Sequence, residues 1–245
     1  MMLQKDGLDW FADKEGRPEV LLYAPDKHRE IYDYITENKI KKIALCGGGT
    51  PTQPYLDTIK SFAWVEWIYG YTKGLDFSFM NSMGNLKRYI GTLDFRLESE
   101  SLEELYAELP PKAKISGGCK SLKTLSAEKC KSVAALFPDG TFPENLRSLC
   151  LIQGGIQNLD GFFENDTIEN LELVLQPKLQ SLQGIGRLRA LKKIRLEKCK
   201  SLADLSSLQN MPKLQELLVV GCPAVDTKVL DSLRGLPRKI TVRML

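Results

Sequence analysis

One histidine, His28, stands among 245 residues. A Ser-His-Asp or Cys-His arrangement needs such a base beside a nucleophile, and nothing near His28 in sequence makes that case. On a polar helix face it reads as solvated surface. HExxH, DxDxDG and the Rossmann glycine fingerprint are all missing. The pair Glu103-Glu104 fits an exposed helix face better than a glycosidase site. No enzyme is expected, and neither a cofactor nor a metal. The six cysteines include no C-x-x-C pair, the usual zinc spacing. Apolar runs are short: no segment approaches the ~20 residues that span a bilayer. Residues 1–7 lack the apolar run and cleavage site of a secretory signal. The expected location is therefore cytoplasmic, with no membrane contact. An excess of one charge is absent too. Lys and Arg number 34 against 31 Asp and Glu, and a net charge of +3 gives no general argument for nucleic acid or a membrane surface.

What is present repeats. Leu146-x-x-Leu149-x-Leu151, Ile168-x-x-Leu171-x-Leu173, Leu191-x-x-Ile194-x-Leu196, Leu214-x-x-Leu217-x-Val219 and Pro237-x-x-Ile240-x-Val242 share one template at intervals of 22 or 23 residues. A period in the low twenties with an L-x-x-L-x-L core resembles the leucine-rich repeat family. The resemblance implies an α/β solenoid: short parallel strands on a concave face, helical or irregular segments on the convex side, and an N-terminal hairpin-helix cap. Cys130, Cys199 and Cys222 fall at one template position, usually Asn or Cys in this family. There they form an internal ladder of small buried thiols.

In chain order, residues 1–38 form the cap and 39–245 the solenoid of a single domain, irregular over 68–121 and regular over 122–245. Residues 8–24 predict a hairpin, and Asp26 is positioned to cap a helix ending near Asn38. The template begins at Ile40-x-x-Ile43-x-Leu45, and the glycine-rich stretch at 46–50 reads as a tight turn rather than a phosphate loop. Phe62-x-x-Val65-x-Trp67 follows, which points Trp67 into the core and Trp64 out of it. The alternation at 75–79 and 93–97 predicts strands. Residues 101–109 predict a short helix capped by Ser101, with Glu104 at the capping-box position, ended by Pro110-Pro111. Lys112-Ala113-Lys114-Ile115 and Leu122-x-x-Leu125-x-Ala127 lie too close for both to be repeat strands. The second is favoured because Cys130 joins the ladder. Three-residue apolar spacing at Leu179, Leu182 and Ile185, and at Leu202, Leu205 and Leu208, predicts short 3₁₀ or α returns facing the core.

Residues facing out of the strands line up from coil to coil. The template puts Trp64, Glu66, Ile68, Glu128, Asn170, Glu172, Lys193, Arg195, Glu197 and Glu216 among them, and these are the candidate partner-binding residues. Mixed charge with apolar character suits a protein partner, whereas a nucleic-acid groove would show one-sign Lys and Arg with stacking aromatics. The resemblance implies a non-enzymatic protein-binding module working through its concave face. An immunity or inhibitor protein that neutralises a toxin or an enzyme is one form of it. The alternatives are a nucleic-acid or acidic-ligand binder using the basic run Arg187, Arg189, Lys192, Lys193, Arg195, Lys198 and Lys200, or an adaptor or substrate-recognition subunit. The chain is expected as a monomer, or as a homodimer through its C-terminal edge, where Lys239 and Arg243 flank the last strand. Asn165-Asp166-Thr167 matches a glycosylation sequon by pattern only.

Overall fold

A computed structural model describes residues 1–45, 52–72, 74–234 and 241–244. The glycine-rich turn at 46–50, Lys239 and Ile240 lie outside the described residues. Three strands open the chain: β1 (Met2–Lys5), β2 (Leu8–Ala12) and β3 (Pro18–Leu22), paired antiparallel. A 3₁₀ turn at Pro25–Lys27 leads into α1 (His28–Asn38). Asp26 makes no capping bond, because the 3₁₀ turn delays the helix to His28. Coils then follow, each entering the sheet parallel to the last: β4 (Lys42–Ala44), α2 (Gln53–Ile59), β5 (Trp67–Gly70) and β6 (Arg88–Thr92). A two-residue strand β7 (Arg96–Leu97) precedes β8 (Glu104–Glu108), and another, β9 (Lys114–Ile115), precedes β10 (Thr124–Glu128). Beyond α3 (Val133–Leu136) come β11 (Ser148–Ile152), β12 (Asn170–Val174), β13 (Lys193–Glu197) and β14 (Glu216–Val220). The last elements are α4 (Thr227–Arg234) and β15 (Thr241–Met244).

Thirteen of these strands make one sheet, while β7 and β9 pair with each other outside it. The solenoid fold stands as expected, with 3₁₀ returns at Ile185–Arg187 and Ser206–Asn210 and their leucines buried. The register of 68–121 differs from the sequence reading. The repeat strands there are Val65-x-x-Ile68-x-Gly70, Leu86-x-x-Tyr89-x-Gly91 and Leu102-x-x-Leu105-x-Ala107, since Ile68, Tyr89 and Leu105 align across the sheet. The expected helix at 101–109 is strand β8. Flanking parallel strands on both sides outweigh its helical propensity, and Ser101 donates to the carbonyls of Met83 and Leu86 at 2.8 and 3.0 Å instead of capping. The expected strand at 75–79 is a buried Phe77 entering a 3₁₀ turn, Ser78–Ser82. Of 93–97 only Arg96–Leu97 is extended, on the convex side. Of the two rival strands, Leu122 begins the repeat coil and Ile115 belongs to the small outer sheet. At the far end Val242 pairs opposite Leu217, two residues later than the period predicts.

The ladder turn recurs with a fixed backbone. Lys129, Gln153, Leu175, Lys198 and Gly221 have φ of 62°, 52°, 53°, 53° and 58°, each just before a ladder residue. This left-handed step turns the chain out of the strand. At three of these turns the side chain that follows donates to the carbonyl of the third apolar strand residue of the preceding coil. Gln176 Nε2 reaches Leu151 O at 2.9 Å, Cys199 Sγ reaches Leu173 O at 3.3 Å, and Cys222 Sγ reaches Leu196 O at 3.7 Å. Gln176 therefore replaces a thiol in the ladder. Gly154 makes room for it, because a Cβ there would lie 2.6 Å from the Gln176 carbonyl oxygen.

Candidate functional site

Strand pairing sets out three outward rows on the concave face. The first runs Lys42, Trp67, Arg88, Glu104, Thr124, Ser148, Asn170, Lys193, Glu216; the second Ala44, Tyr69, Ile90, Tyr106, Ser126, Cys150, Glu172, Arg195, Leu218. The third includes Glu108, Glu128, Ile152, Val174, Glu197 and Val220. Adjacent members sit about 4.8 Å apart, the strand spacing of a sheet, so residues distant in sequence form one surface.

Three expected site residues are not in these rows, and the register shift at β5 is the reason. Ile68 is fully buried. Glu66 precedes the strand and belongs to a charged edge ladder, paired with Lys41 at 2.7 Å. The same edge continues with Lys87–Glu103 at 3.5 Å and Glu103–Lys123 at 2.5 Å. Trp64 lies before the strand too, half-buried against the core, with its ring 5.5 Å from Phe62 and Lys39 Nζ 3.9 Å above it. Trp64→Ala is therefore expected to lower stability by about 2 kcal/mol; an unchanged denaturation midpoint would overturn this packing role. Trp67, expected inside, faces outward instead.

The remaining candidates do face outward. Asn170, Glu172, Lys193, Arg195 and Glu216 line a shallow cleft of about 260 Å³ in the C-terminal half, with Glu197 bonded to Arg195 at its edge. Their charges satisfy one another: Arg195 reaches Glu172 at 4.0 Å and Glu197 at 2.5 Å, and Lys193 reaches Glu216 at 3.8 Å. The basic run is likewise opposed by more than Glu197. Arg189 pairs with Glu164 at 2.5 Å and Asp166 at 3.7 Å, Lys192 with Glu169 at 2.9 Å, and Arg187 donates to Asp160 O at 2.7 Å. Exposed pairs contribute little to stability, but they remove the one-sign field that a phosphate backbone needs.

The N-terminal half has a different character. Val20, Leu22 and Ala44 form a second buried apolar cluster, covered by Phe11, Trp67 and Tyr69 and separate from the main core. Trp67 is flanked by two cations, Lys42 Nζ at 5.0 Å and Arg88 at 4.9 Å from its ring centre. Arg88 also lies 5.9 Å from the Tyr106 ring and pairs with Glu104. Tyr69 meets Tyr71 edge to face at 5.4 Å, and Tyr71 is 46% exposed, the most open aromatic ring among the described residues. A cleft of about 320 Å³ is lined by Tyr71, Arg88, Ile90, Tyr106, Ser126, Glu128 and Ile152. Burial raises the Tyr71 hydroxyl above the usual phenol range, helped by the charges of Glu128 and Glu108; burial and Glu104 do the same to Tyr106. Both rings are neutral hydroxyl-bearing surfaces at physiological pH. Sequence reasoning missed Arg88, Ile90 and Tyr106. The spacing Ile68, Tyr89, Leu105 was available to find them, but glycine and alanine at the third apolar position hid the template.

His28 is not a solvated surface group. Its Nδ1 bonds the Tyr23 hydroxyl and its ring lies 4.8 Å from Tyr55. The sequon asparagine is occupied as well. Asn165 Oδ1 accepts from the backbone N–H groups of Thr167 at 2.9 Å and Ile168 at 2.6 Å, and its Nδ2 donates to Thr167 Oγ1 at 3.1 Å. Asn165→Ala is expected to cost about 1–2 kcal/mol for two backbone N–H donors left without their acceptor, read as a fall in unfolding midpoint; no fall would contradict the turn's role. Among the described residues, no group of three or more His, Cys, Asp or Glu could hold a metal ion, and no helix is long and apolar enough to cross a membrane.

No family model matches the chain, and no curated protein matches it. Solved structures do. An internalin (inlF) from Listeria monocytogenes superposes with a TM-score of 0.54 at 14% identity, over 90% of this chain and 76% of that one. A leucine-rich repeat protein of Leptospira interrogans gives 0.58 at 18% identity, over 87% of this chain and 56% of that one. The leucine-rich repeat domain of the type III effector XopL gives 0.52 at 17% identity, over 77% and 71%. The chain has the leucine-rich repeat fold.

Proposed function

We propose that this chain is a protein-binding module whose partner lies on the concave face, centred on the aromatic half from Trp67 to Tyr106. One observation carries the reading: Tyr69, Ile90 and Tyr106 are neighbours on consecutive parallel strands, with the open Tyr71 ring beside them. Tyrosine and tryptophan are the residues most enriched at binding hot spots, and an apolar centre ringed by polar contacts is the usual anatomy of a protein interface. The paired charges of the C-terminal half then serve as rim. Scaffold alone does not select a partner; this surface does. Neutralising a toxin or an enzyme is one use of such a face and bridging two proteins is another; no described residue favours either.

The basic run, largely matched by carboxylates, supports protein over nucleic acid. Affinity purification from the source cells, with the wild type and a Tyr71→Ala/Tyr106→Ala double variant as baits, tests the reading. The wild type is expected to retain a stoichiometric protein that the variant loses. The complex should survive a rise from about 50 to 200 mM salt, a range over which phosphate-driven binding falls by roughly a thousandfold or more. Recovery of nucleic acid, or of a protein held equally by both baits, would refute it.

A further inference from the structure

The aromatic cleft contains more than rings. Its charged groups are unequal in what they already hold. Arg88 is fixed between the Trp67 and Tyr106 rings and paired with Glu104. Glu108, in the same outward row as Glu128, is held by Lys129 at 2.9 Å. Glu128 lines the cleft and makes no ion pair among the described residues. Its charge nevertheless acts on Tyr71, the most open ring of the group.

We propose that the cleft formed by Tyr71, Ile90, Tyr106, Ile152 and Glu128 receives a lysine or arginine side chain of a protein partner. This rests on the reading of the concave face as a protein-binding surface and names the chemistry of the residue it takes. Three kinds of inserted side chain can be compared. A carboxylate would enter beside Glu128 and Glu108 and be repelled, since Arg88 is already neutralised by Glu104. A purely apolar side chain would bury Glu128 without a counter-charge, and an unpaired carboxylate removed from water is costly. A long cationic side chain meets both demands. Its methylene stem covers Ile90 and Ile152 while its head stays at the Glu128 end, and tyrosine faces attract a cation directly. The volume of about 320 Å³ admits one such side chain with room for water.

Panning a random heptapeptide display library on the intact chain tests this. The enriched peptides are expected to share an arginine or lysine at one position. Synthetic copies should lose about tenfold or more in affinity on Glu128→Gln, and the same when that residue is replaced by citrulline or norleucine. They should change less than about twofold on Glu144→Gln, an exposed position away from the strands. Enriched peptides without a shared basic residue, but lost on Tyr106→Ala, overturn this inference and leave the protein-binding reading standing. Peptides indifferent to Tyr71→Ala and Tyr106→Ala, or no enrichment at all, count against both.

Discussion

Gly91→Ala is expected to destabilise the chain by about 3 kcal/mol or more, the upper range for overpacking a rigid core. A Cβ at Gly91 would lie 2.1 Å from the carbonyl oxygen of Gly70 and 2.6 Å from the Tyr89 hydroxyl. Neither neighbour can yield. The Gly70 carbonyl sits in the paired backbone of β5 and β6. The Tyr89 hydroxyl donates to Gly70 O at 3.2 Å and Thr92 O at 2.9 Å, and its ring is fully buried, 5.7 Å from Phe77. Gly84 is the matched control: nothing lies within 4 Å of a Cβ there, and Gly84→Ala should stay within about 0.5 kcal/mol of wild type. Chemical denaturation followed by circular dichroism reads both. Equal midpoints for the two variants would mean that the glycine pair does not make room for the tyrosine. Because coils stack only on their neighbours, partial unfolding of the N-terminal coils with the C-terminal ones retained is the same result in a less cooperative form.

The double variant Tyr71→Ala/Tyr106→Ala is expected to weaken partner binding by about a hundredfold, near 2.7 kcal/mol, if two aromatic anchors each contribute as hot-spot residues do. Stability should change little, because Tyr71 is open and Tyr106 is half-buried, its hydroxyl bonded to Glu104 at 3.2 Å. That separation of binding from stability distinguishes these positions from Trp64, where the ordering is reversed. Isothermal calorimetry on the purified complex checks it. A loss under threefold, or a comparable loss from Lys193→Ala in the C-terminal cleft, would move the centre of binding away from the aromatic half.

The coils from Leu146 to Val219 were legible in sequence because leucine, isoleucine or valine fills the core positions of the template. Leu149, Leu171, Ile194 and Leu217 align across the sheet as the period demands. The outward rows of that half, with Asn170, Glu172, Lys193, Arg195 and Glu216, followed directly. The candidate site in the other half did not. Gly70, Gly91 and Ala107 stand where the template expects a large apolar residue. The two glycines leave room for Phe77 and Tyr89: a Cβ at Gly70 would come within 3.0 Å of the Phe77 ring, and one at Gly91 within 2.6 Å of the Tyr89 hydroxyl. With the template hidden, the sequence exchanges the surroundings of Trp64 and Trp67 and predicts for Tyr106 a helix that its sheet neighbours forbid. Pairing partners are non-local, and the period that reveals them elsewhere was masked where aromatic rings replace leucine. The irregular coils carry the surface, as local departures from a repeat often do.

Site-specific photocrosslinking distinguishes a partner on the concave face from one on the convex side. A benzophenone amino acid in place of Tyr71, and separately in place of Asn210 on an exposed 3₁₀ return of the convex side, is irradiated in the source cells. A discrete protein adduct is expected from position 71 and none from position 210. Adducts from 210 with none from 71 would contradict it.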